Sequence, residues 1–356
     1  MRIAFDITPL SSGHFLQHQV RGSGFYVQHL KDALLNYFPD NEYHFFKKGD
    51  SLPKDTEIIH HPYFEPFFLT LPLHKSAPTV ITVHDLTPIL FPKHFPSGIK
   101  GRLRWEIQKV LLKKMDGIIT DSKVVSSDIR KTVGLKNDKT FVVPLAAAEE
   151  FGQITKSKSD LDLLRKKYGL PEEFALYVGD ITWNKNVPHI VEAAAKAEIH
   201  LVLAGKAIAE ENFDRSNPWN KDRIKIHVLA KDNPYIHILG FVPNDDLVAL
   251  YNEAAFFVMP SYYEGFGLPI LEAMSCGCPV ITSERGSLPE VAGNAALYVN
   301  PEDVESITNG MKKIFSDLIL RKKMQEMGLK QAKTFSWQKT AGETIEVYKK
   351  ILSHKK

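Results

Sequence analysis

The sequence predicts an α/β protein made of two doubly wound domains, each a parallel sheet covered by helices. The first observation is its length, because 356 residues exceed what one ordinary hydrophobic core accommodates. The second is that short apolar runs alternate with amphipathic helical segments along the whole chain, which is typical of parallel sheets. The third is a charged, irregular stretch near residues 150–172, which suits a linker. We therefore predict one domain over residues 1–160 and a second over residues 161–336.

The first series of elements combines short apolar runs, which suit buried strands, with longer segments of helical periodicity. Its strands are predicted at 2–7, 57–60, 79–83, 117–120 and 140–143. Its helices are predicted at 25–37, 102–115 and 124–133.

The second series repeats this plan without a repeated sequence. Its strands are predicted at 175–178, 200–204, 236–239, 255–259, 279–282 and 296–299. Its helices are predicted near 187–196, 245–253, 269–276, 304–316, 320–334 and 337–352.

The composition is that of a soluble globular protein, with 44% apolar and 24% charged residues. No apolar run reaches the roughly 18 residues of a spanning helix, and the first residues lack the order of a signal peptide. We therefore expect a cytoplasmic protein. A net charge of +3 is too small to indicate a nucleic-acid partner. The only cysteines, Cys276 and Cys278, are too close in sequence for disulfide geometry, and a Cys-x-Cys pair alone is not a zinc site.

The most informative segment is EGFGLPILE, in which Glu264 and Glu272 stand eight positions apart around a glycine-rich turn and a helix start. An apolar run precedes it, so the segment follows a buried strand. Pro269 suits the first helical position, and Gly277 suits the left-handed residue just past the helix end. The N–H groups of the turn and of the helix N-terminus favour a diphosphate. The two carboxylates can then hold the two ends of one nucleotide sugar by its hydroxyls.

This segment resembles the E-x7-E element of retaining glycosyltransferases of family 4, which have the GT-B fold. The likeness continues almost residue for residue through MPSYYEGFGLPILEAMSCGCPVI at 259–281. The alternative is an ordinary loop with two surface glutamates. The resemblance implies that Glu264 holds the donor sugar and Glu272 the ribose. It also implies donor contacts from the residues between them, Gly265, Phe266, Gly267 and Leu268.

The resemblance further implies two Rossmann-like domains that face each other across a cleft. The N-terminal domain would bind the acceptor and the C-terminal domain the donor. The final helix, over residues 337–356, would pack back on the first domain, although plain docking of a C-terminal helix is an equal alternative.

A second strand–loop–helix segment, LYVGDITWNKNV at 176–187, resembles the family's phosphate-binding loop. Gly179 lets the backbone turn tightly, and Lys185 can place a positive charge on a leaving diphosphate. A solvated lysine at a helix start is the alternative. The family usually has another cation before this lysine, but here Asn184 precedes it, and the resemblance implies that Gly179 and Asn184 contact the donor. Lys206, which follows another strand, is the candidate to replace that missing cation.

The segment TVHDLTP places His84 and Asp85 after a buried strand. In the mannosyltransferase-like subgroup that this chain resembles, this histidine faces the donor sugar; a satisfied core histidine is the alternative. Asp85 either orients His84 or caps the following turn. Asp121 follows the next strand and faces the same edge, with a helix N-cap as its alternative, and for Ser122 we favour the N-cap. We do not infer a general base, because a same-face substitution in which the leaving phosphate takes the acceptor's proton fits these residues.

Two further segments have both a functional and an ordinary interpretation. Gly22 and Gly24 end a long loop that the resemblance brings near the acceptor or the donor phosphate, and a flexible surface loop is the alternative. The segment 93–114 combines cations with aromatic and aliphatic residues, which suits anionic lipid or a lipid diphosphate. A solvated helix face with a buried apolar stripe is its alternative. The cations are Lys93, Lys100, Arg102, Arg104, Lys109, Lys113 and Lys114.

The resemblance thus implies a retaining glycosyltransferase that moves a hexose from a GDP- or UDP-sugar to a glycan or lipid-linked glycan in cell-surface polysaccharide synthesis. GDP-mannose is the first donor to consider, since the likeness is nearest to bacterial mannosyltransferases of O-polysaccharide assembly. No Asp-x-Asp motif lies in a matching place, so we expect no metal and no other cofactor. The alternatives are a GT-B phosphorylase, a sugar-nucleotide epimerase, and a catalytically weak sugar-nucleotide-binding subunit. A peripheral contact with the inner face of a membrane also stays open.

Overall fold

The computed structural model describes residues 1–11, 22–154 and 158–353, and the chain forms two compact units. The N-terminal unit comprises Met1–Pro92, Pro96–Ala146 and Phe335–Lys356. The C-terminal unit comprises Lys93–Phe95 and Ala147–Thr334. The second unit therefore begins earlier than the boundary predicted at residue 161.

The N-terminal unit contains a parallel six-stranded sheet in the order β2-β1-β3-β4-β5-β6. The strands are β1 (Arg2–Asp6), β2 (Glu42–Phe46), β3 (Ile58–His61), β4 (Thr79–Val83), β5 (Gly117–Thr120) and β6 (Thr140–Val142). Its helices are α1 (Gly22–Tyr37), α2 (Thr87–Leu90), α3 (Gly98–Lys114), α4 (Lys123–Val133) and the last helix of the chain, α14 (Trp337–Ser353).

The C-terminal unit contains a second parallel six-stranded sheet, in the order β12-β11-β10-β7-β8-β9. Its strands are β7 (Ala175–Val178), β8 (Leu201–Ala204), β9 (Ile236–Gly240), β10 (Phe256–Met259), β11 (Val280–Ser283) and β12 (Ala296–Val299). Its helices are α5 (Lys158–Tyr168), α6 (Val187–Ala197), α7 (Lys206–Ala209), α8 (Lys221–Ala230), α9 (Asn244–Glu253), α10 (Leu268–Ser275), α11 (Leu288–Ala292), α12 (Val304–Ser316) and α13 (Leu318–Ala332).

The central strands of both sheets are buried along their whole length, as β4, β5, β8 and β10 illustrate. Helices on both faces exclude water from these Val-, Ile- and Leu-rich runs. In such a sheet, ligands bind beyond the carboxyl ends of the strands. The loops that follow β4, β5, β7, β8 and β10 are therefore where a site is expected, and they contain most of the residues singled out in the sequence.

The structure corrects two assignments. The strand β2 was not predicted, because it lies at the sheet edge and alternates between exposed and covered residues. The stretch predicted as a linker contains the helix α5. Its charged residues form ion pairs with α9, with Arg165 to Glu253 at 3.2 Å and Lys167 to Asp246 at 2.5 Å, so charge here marks a docked helix. The short helices α2, α7, α8 and α11 were also not predicted.

The helix α14 belongs to the N-terminal unit and packs against α1. The hydroxyl of Tyr348 lies 2.6 Å from Nδ1 of the buried His60, whose Nε2 lies 2.8 Å from Oγ1 of Thr82 in β4. Thr340 donates a hydrogen bond of 2.7 Å to the carbonyl of Pro144. Buried polar groups are thus satisfied between α14 and the sheet. No helix in the described part of the chain combines the length and the apolar character that crossing a membrane needs.

Candidate active site

The loop between β10 and α10 places Glu264 and Glu272 as the sequence suggested. Gly267 precedes α10 with φ 101°, a value that an L side chain rarely adopts. Pro269 lies in the first turn of α10, and Gly277, with φ 75°, follows its end. Both glutamates are buried. The residues between them are also covered: Gly265, Phe266 and Gly267 are buried, and Leu268 is half-buried.

Lys185 and Glu264 form the central ion pair of the C-terminal unit. The lysine lies in a short 3₁₀ turn after β7, and Nζ of Lys185 is 2.7 Å from Oε2 of Glu264. The strands β7 and β10 are neighbours in the sheet, so the loops at their carboxyl ends converge. The other carboxylate oxygen, Oε1 of Glu264, is buried and has no hydrogen-bond partner among the residues that the structure describes. An unmade hydrogen bond at a buried charged atom is expensive, and a ligand hydroxyl would supply it.

Two asparagines tie the Lys185 loop to the Glu264 loop. The Asn184 amide donates to the carbonyl of Tyr263 at 3.0 Å, and its oxygen accepts from Thr182 at 2.8 Å. Asn186 takes the left-handed conformation with φ 57° and donates to the carbonyls of Pro260 and Pro301. Asn184 was predicted to bind the donor, but its side chain is committed to the protein. It therefore positions Lys185 and Glu264.

The segment after β11 supports the Glu264 loop from the other side. The Ser287 hydroxyl donates to the carbonyl of Phe266 at 2.8 Å and is 2.9 Å from the carbonyl of Glu264. A Cβ atom at Gly286 would lie 2.7 Å from the Glu264 carbonyl oxygen and 2.8 Å from its nitrogen. Only glycine permits this approach. Ser287 and Gly286 are positioning residues that the sequence interpretation missed.

Glu272 lies about one turn inside α10 and is held by a tyrosine. The hydroxyl of Tyr251 donates to Oε2 of Glu272 at 2.9 Å. Burial raises the pKa of Glu272 to about 7, and the hydrogen bond from Tyr251 opposes this only in part. The carboxyl group therefore changes its charge near neutral pH.

Glycines also shape the loops that follow β7 and β8 at the carboxyl edge of this sheet. Gly179 has φ 153°, and a Cβ atom there would lie 3.0 Å from the Tyr177 hydroxyl. A Cβ atom at Gly205 would lie only 2.1 Å from the Gly179 carbonyl oxygen, so Gly205 is needed for close approach of the two loops; the sequence interpretation did not single it out. Lys206 begins α7 directly after Gly205, and its side chain is exposed. It lies at the end of the strand beside β7.

In the N-terminal unit, His84 pairs with Asp121. Nδ1 of His84 lies 2.8 Å from Oδ2 of Asp121, and the Tyr26 ring stands edge-on 4.7 Å from the imidazole. Burial alone would lower the pKa of His84, but the carboxylates of Asp121 and Asp85 outweigh it and raise the pKa. Among the described residues, no group completes a hydrogen bond to the buried Nε2 of His84 or to the buried Oδ1 of Asp121, although a backbone contact with Pro62 helps to raise the pKa of His84. Both atoms are available to a ligand.

The partner of His84 is therefore Asp121, and Asp85 has another task. Oδ1 of Asp85 accepts the N–H of Thr87 at 2.9 Å, which fixes the turn into α2. Ser122 caps α4 by accepting the N–H of Val125 at 3.2 Å, as we favoured. Glu65, in the loop after β3, is an acidic neighbour that sequence reasoning missed. Burial, with the nearby Asp85 charge, raises the pKa of Glu65 to about 7.

Gly22 and Gly24 lie in the first turn of α1 and begin this helix. Most of the long loop predicted before them, residues 12–21, lies outside the described residues.

Comparison with known families and proteins gives consistent matches. The model of "Glycosyl transferases group 1" matches residues 161–331, and that of "Glycosyltransferase Family 4" matches residues 16–148. O-antigen chain mannosyltransferase B of Escherichia coli is 34% identical over 287 residues, covering 78% of this chain and 71% of that protein. Serotype-specific mannosyltransferase WbdA of the same organism is 32% identical over 280 residues. That match covers 77% of this chain but only 34% of WbdA.

Solved structures share the fold. Sucrose-phosphate synthase from Thermosynechococcus elongatus aligns with a TM-score of 0.73 and 20% identity, covering 99% of both chains. WaaG, a glycosyltransferase involved in lipopolysaccharide biosynthesis, aligns with a TM-score of 0.67 and 14% identity, covering 97% of this chain and 99% of WaaG. The predicted GT-B fold is confirmed.

Proposed function

Because this chain belongs to the glycosyltransferases of group 1 and family 4, we propose that it transfers mannose from GDP-mannose to a glycan or lipid-linked glycan. The chain is a glycosyltransferase; the donor, the acceptor and the retention of configuration are the proposal. The relatives support mannose, since both E. coli proteins are mannosyltransferases by name. Assembly of a cell-surface polysaccharide follows from the same likeness.

One observation carries the proposal, namely the Lys185–Glu264 pair with its unsatisfied carboxylate oxygen. The pair stands where the carboxyl ends of β7 and β10 meet, with the N-terminus of α10 beside it. A leaving diphosphate suits this lysine and these backbone N–H groups. Oε1 of Glu264 lacks a donor within the described part of the chain, and a hydroxyl of the transferred sugar satisfies it.

Glu272 supports binding of the nucleoside. It lies at the far end of the motif and is held by Tyr251. An ionised carboxylate accepts hydrogen bonds from two adjacent hydroxyls, which is what a ribose presents. With its pKa raised to about 7, Glu272 binds ribose best above neutral pH, where it is ionised.

The reaction that we infer is a substitution on one face of the sugar. The acceptor oxygen bonds to C1 as the bond from C1 to the diphosphate oxygen breaks. The acceptor's proton passes to the leaving phosphate oxygen. Lys185 stabilises the negative charge that develops on the diphosphate, so a divalent cation is not required for this task. In the N-terminal unit, Asp121 fixes the His84 ring, and Nε2 of His84 meets a substrate hydroxyl.

We further propose that α3 contacts an anionic membrane surface. Four apolar residues form one exposed stripe along it, Ile99, Leu103, Ile107 and Val110. Ile99 is 87% and Leu103 64% exposed. The opposite side of the helix is already buried, with Trp105, Leu111 and Leu112 in the core. The alternative given above, a solvated helix face with a buried apolar stripe, explains the buried residues of α3 but not its exposed apolar stripe.

Charge favours a lipid surface over a protein partner for this stripe. Helical spacing places Lys100, Arg104 and Lys114 on one flank of the stripe, and Arg102, Lys109 and Lys113 on the other. Glu106 is the one acid among them and pairs with Lys109 at 2.7 Å. Arg104 also lies over the ring of Phe68, which is 54% exposed and extends the apolar surface. Apolar residues between rows of cations suit the interface of an anionic bilayer.

Turnover of nucleotide sugars by the purified chain tests the proposed function. GDP-mannose, GDP-fucose, UDP-glucose and UDP-galactose are each incubated with the protein and with an oligomannoside acceptor, and the released nucleotide and the product are measured. We expect GDP and an extended mannoside, with Glu264→Gln as the inactive control of equal size. Turnover that needs inorganic phosphate would identify a phosphorylase, and conversion of the nucleotide sugar without an acceptor product would identify an epimerase. Tight binding without turnover would identify a binding subunit.

A further inference from the structure

A second polar pocket lies within the N-terminal unit, apart from His84. Its cavity measures about 210 Å³. Asp6, Phe46 and His61, the last residues of β1, β2 and β3, line it together with Tyr63 and Lys48. These strands are adjacent. No described helix connects β2 to β3 or β3 to β4, so loops form both connections beside this pocket.

The floor of this pocket is a fixed carboxylate–imidazole pair. Asp6 is 2% exposed, and Oδ1 of Asp6 accepts the N–H and the hydroxyl of Thr8 at 2.8 Å and 2.5 Å. Oδ2 of Asp6 lies 2.9 Å from Nδ1 of His61. An ionised carboxylate only accepts hydrogen bonds, so Nδ1 of His61 carries the proton in this pair. The pair holds the imidazole in one orientation, with Nε2 as its remaining polar atom.

Tyr63, Lys48 and His74 bring further hydrogen-bonding groups to the pocket. Burial, with the nearby Asp6 carboxylate, raises the pKa of Tyr63, so its hydroxyl stays protonated. Nζ of Lys48 donates to the carbonyl of Leu69 at 3.1 Å and keeps two further N–H groups. His74, an exposed residue, completes the rim. Phe46 and aliphatic residues such as Leu52, Ile59 and Leu71 form the apolar part of the walls, and Asp50, Thr70, Ser76 and Thr79 also line the pocket.

The volume of the pocket and the charges that line it together indicate which kind of ligand fits. A cavity of about 210 Å³ is smaller than the roughly 300–1,000 Å³ of sites for drug-sized ligands, so it holds one small ring. Asp6 and Asp50 face it together with Lys48, and the two carboxylates disfavour a phosphate by like-charge repulsion. A sugar ring is neutral, with hydroxyls at its edge and C–H groups on its face, and matches polar groups set between apolar walls.

We propose that this pocket holds one monosaccharide residue of the acceptor glycan, with the Asp6–His61 pair and Lys48 binding its hydroxyls. That the bound sugar belongs to the acceptor rests on the proposed function. The affinity of the pocket for a saccharide does not depend on it.

Direct binding tests the pocket without any donor. Methyl α-mannoside, methyl α-glucoside and the matching disaccharides are added to the full-length protein, and saturation transfer from protein to ligand is recorded by NMR. We expect at least one saccharide to bind. The rim variants Lys48→Ala and His74→Ala should each weaken it roughly tenfold, the effect of losing one hydrogen bond to the ligand. Lys54→Ala, in the same loop but not lining the pocket, is the matched control and should bind as the wild type does.

The rim variants are chosen because their side chains are exposed, whereas His61→Ala removes part of the buried floor. No saccharide binding, or equal binding by the wild type and both rim variants, overturns the proposal. In turnover assays, the rim variants should raise the acceptor KM about tenfold and leave donor hydrolysis unchanged. A chain that turns over no nucleotide sugar would refute the proposed function. Saccharide binding that the rim variants weaken would still establish the pocket.

Discussion

Replacing Lys185 by alanine is the most informative single change. Nζ of Lys185 lies 2.7 Å from Oε2 of Glu264, whose side chain is 8% exposed. On the proposed function, the lysine also contacts the leaving diphosphate. Removing one such preorganised contact costs about 2.7–4 kcal/mol of transition-state stabilisation. We therefore expect kcat at saturating donor to fall about 100- to 1,000-fold.

The same substitution has a second effect, because it leaves the Glu264 carboxylate buried without its cation. Breaking a buried pair in this way destabilises a protein by about 3–5 kcal/mol. The double variant Lys185→Ala/Glu264→Gln separates the two effects, since it removes both charges. We expect it to recover much of the lost thermal stability but none of the activity. Lys185→Arg keeps the charge and should retain more activity than either.

The assay is steady-state release of the nucleotide at saturating acceptor, with thermal unfolding measured on every variant. A Lys185→Ala protein that is folded at the assay temperature and keeps kcat within about threefold of the wild type would refute the reasoning, given the size expected for such a contact. A change in the donor KM alone would show that the lysine binds the ground state and the transition state equally.

Four further predictions concern the two glutamates, the metal requirement and α3. Glu264→Ala should lower kcat strongly and Glu272→Ala should mainly weaken nucleotide binding; near-wild-type turnover in both variants would contradict their roles. The pKa of Glu272 is raised to about 7, and its ionised form accepts hydrogen bonds from the ribose hydroxyls. Nucleotide affinity measured by calorimetry should therefore rise over roughly pH 6 to 8. Glu272→Gln should abolish this pH dependence. Turnover should survive chelation by EDTA, and a need for added Mg²⁺ would overturn the metal-free mechanism. Charge reversal on α3 should abolish sedimentation with anionic liposomes and should not change nucleotide binding; the reversed residues are Arg102, Arg104, Lys109 and Lys113. If the wild-type protein does not sediment with such liposomes at low salt, α3 is an ordinary solvent-exposed helix.

The alternation of strands and helices made most of the fold predictable, because buried parallel strands are continuous apolar runs. The edge strand β2 escaped prediction because its exposed residues interrupt such a run. The helix α5 escaped because its charges resemble those of a linker. Its partners, Asp246 and Glu253, lie far along the chain, and single-sequence patterns do not reveal such pairing.

The sequence identified most residues of the candidate site, but it did not show which of them form pairs. The sequence singled out His84 and proposed the adjacent Asp85 to orient it. In the structure, Val83 is aligned with Thr120 in the β4–β5 pair, so the residues that follow them, His84 and Asp121, become neighbours. Side chains of consecutive residues diverge at a strand end, and Asp85 turns to the backbone of α2. Pairing of this kind depends on strand register, which the sequence alone did not reveal.

Residues that act through the backbone were the least predictable. Gly205 and Gly286 are each required by the approach of another loop's backbone, and nothing in their local sequence signals that approach. The polar pocket beside β1 has the same origin, because it arises where connections between strands lack a helix.

The central claim is that Glu264 holds the sugar of a bound nucleotide sugar while Lys185 holds its diphosphate. Calorimetric titration of GDP and of GDP-mannose into the wild type and into Glu264→Gln tests it most directly. The account predicts that the wild type binds GDP-mannose more tightly than GDP, and that Glu264→Gln loses this difference but keeps its affinity for GDP. An unchanged preference for GDP-mannose in Glu264→Gln would contradict the claim.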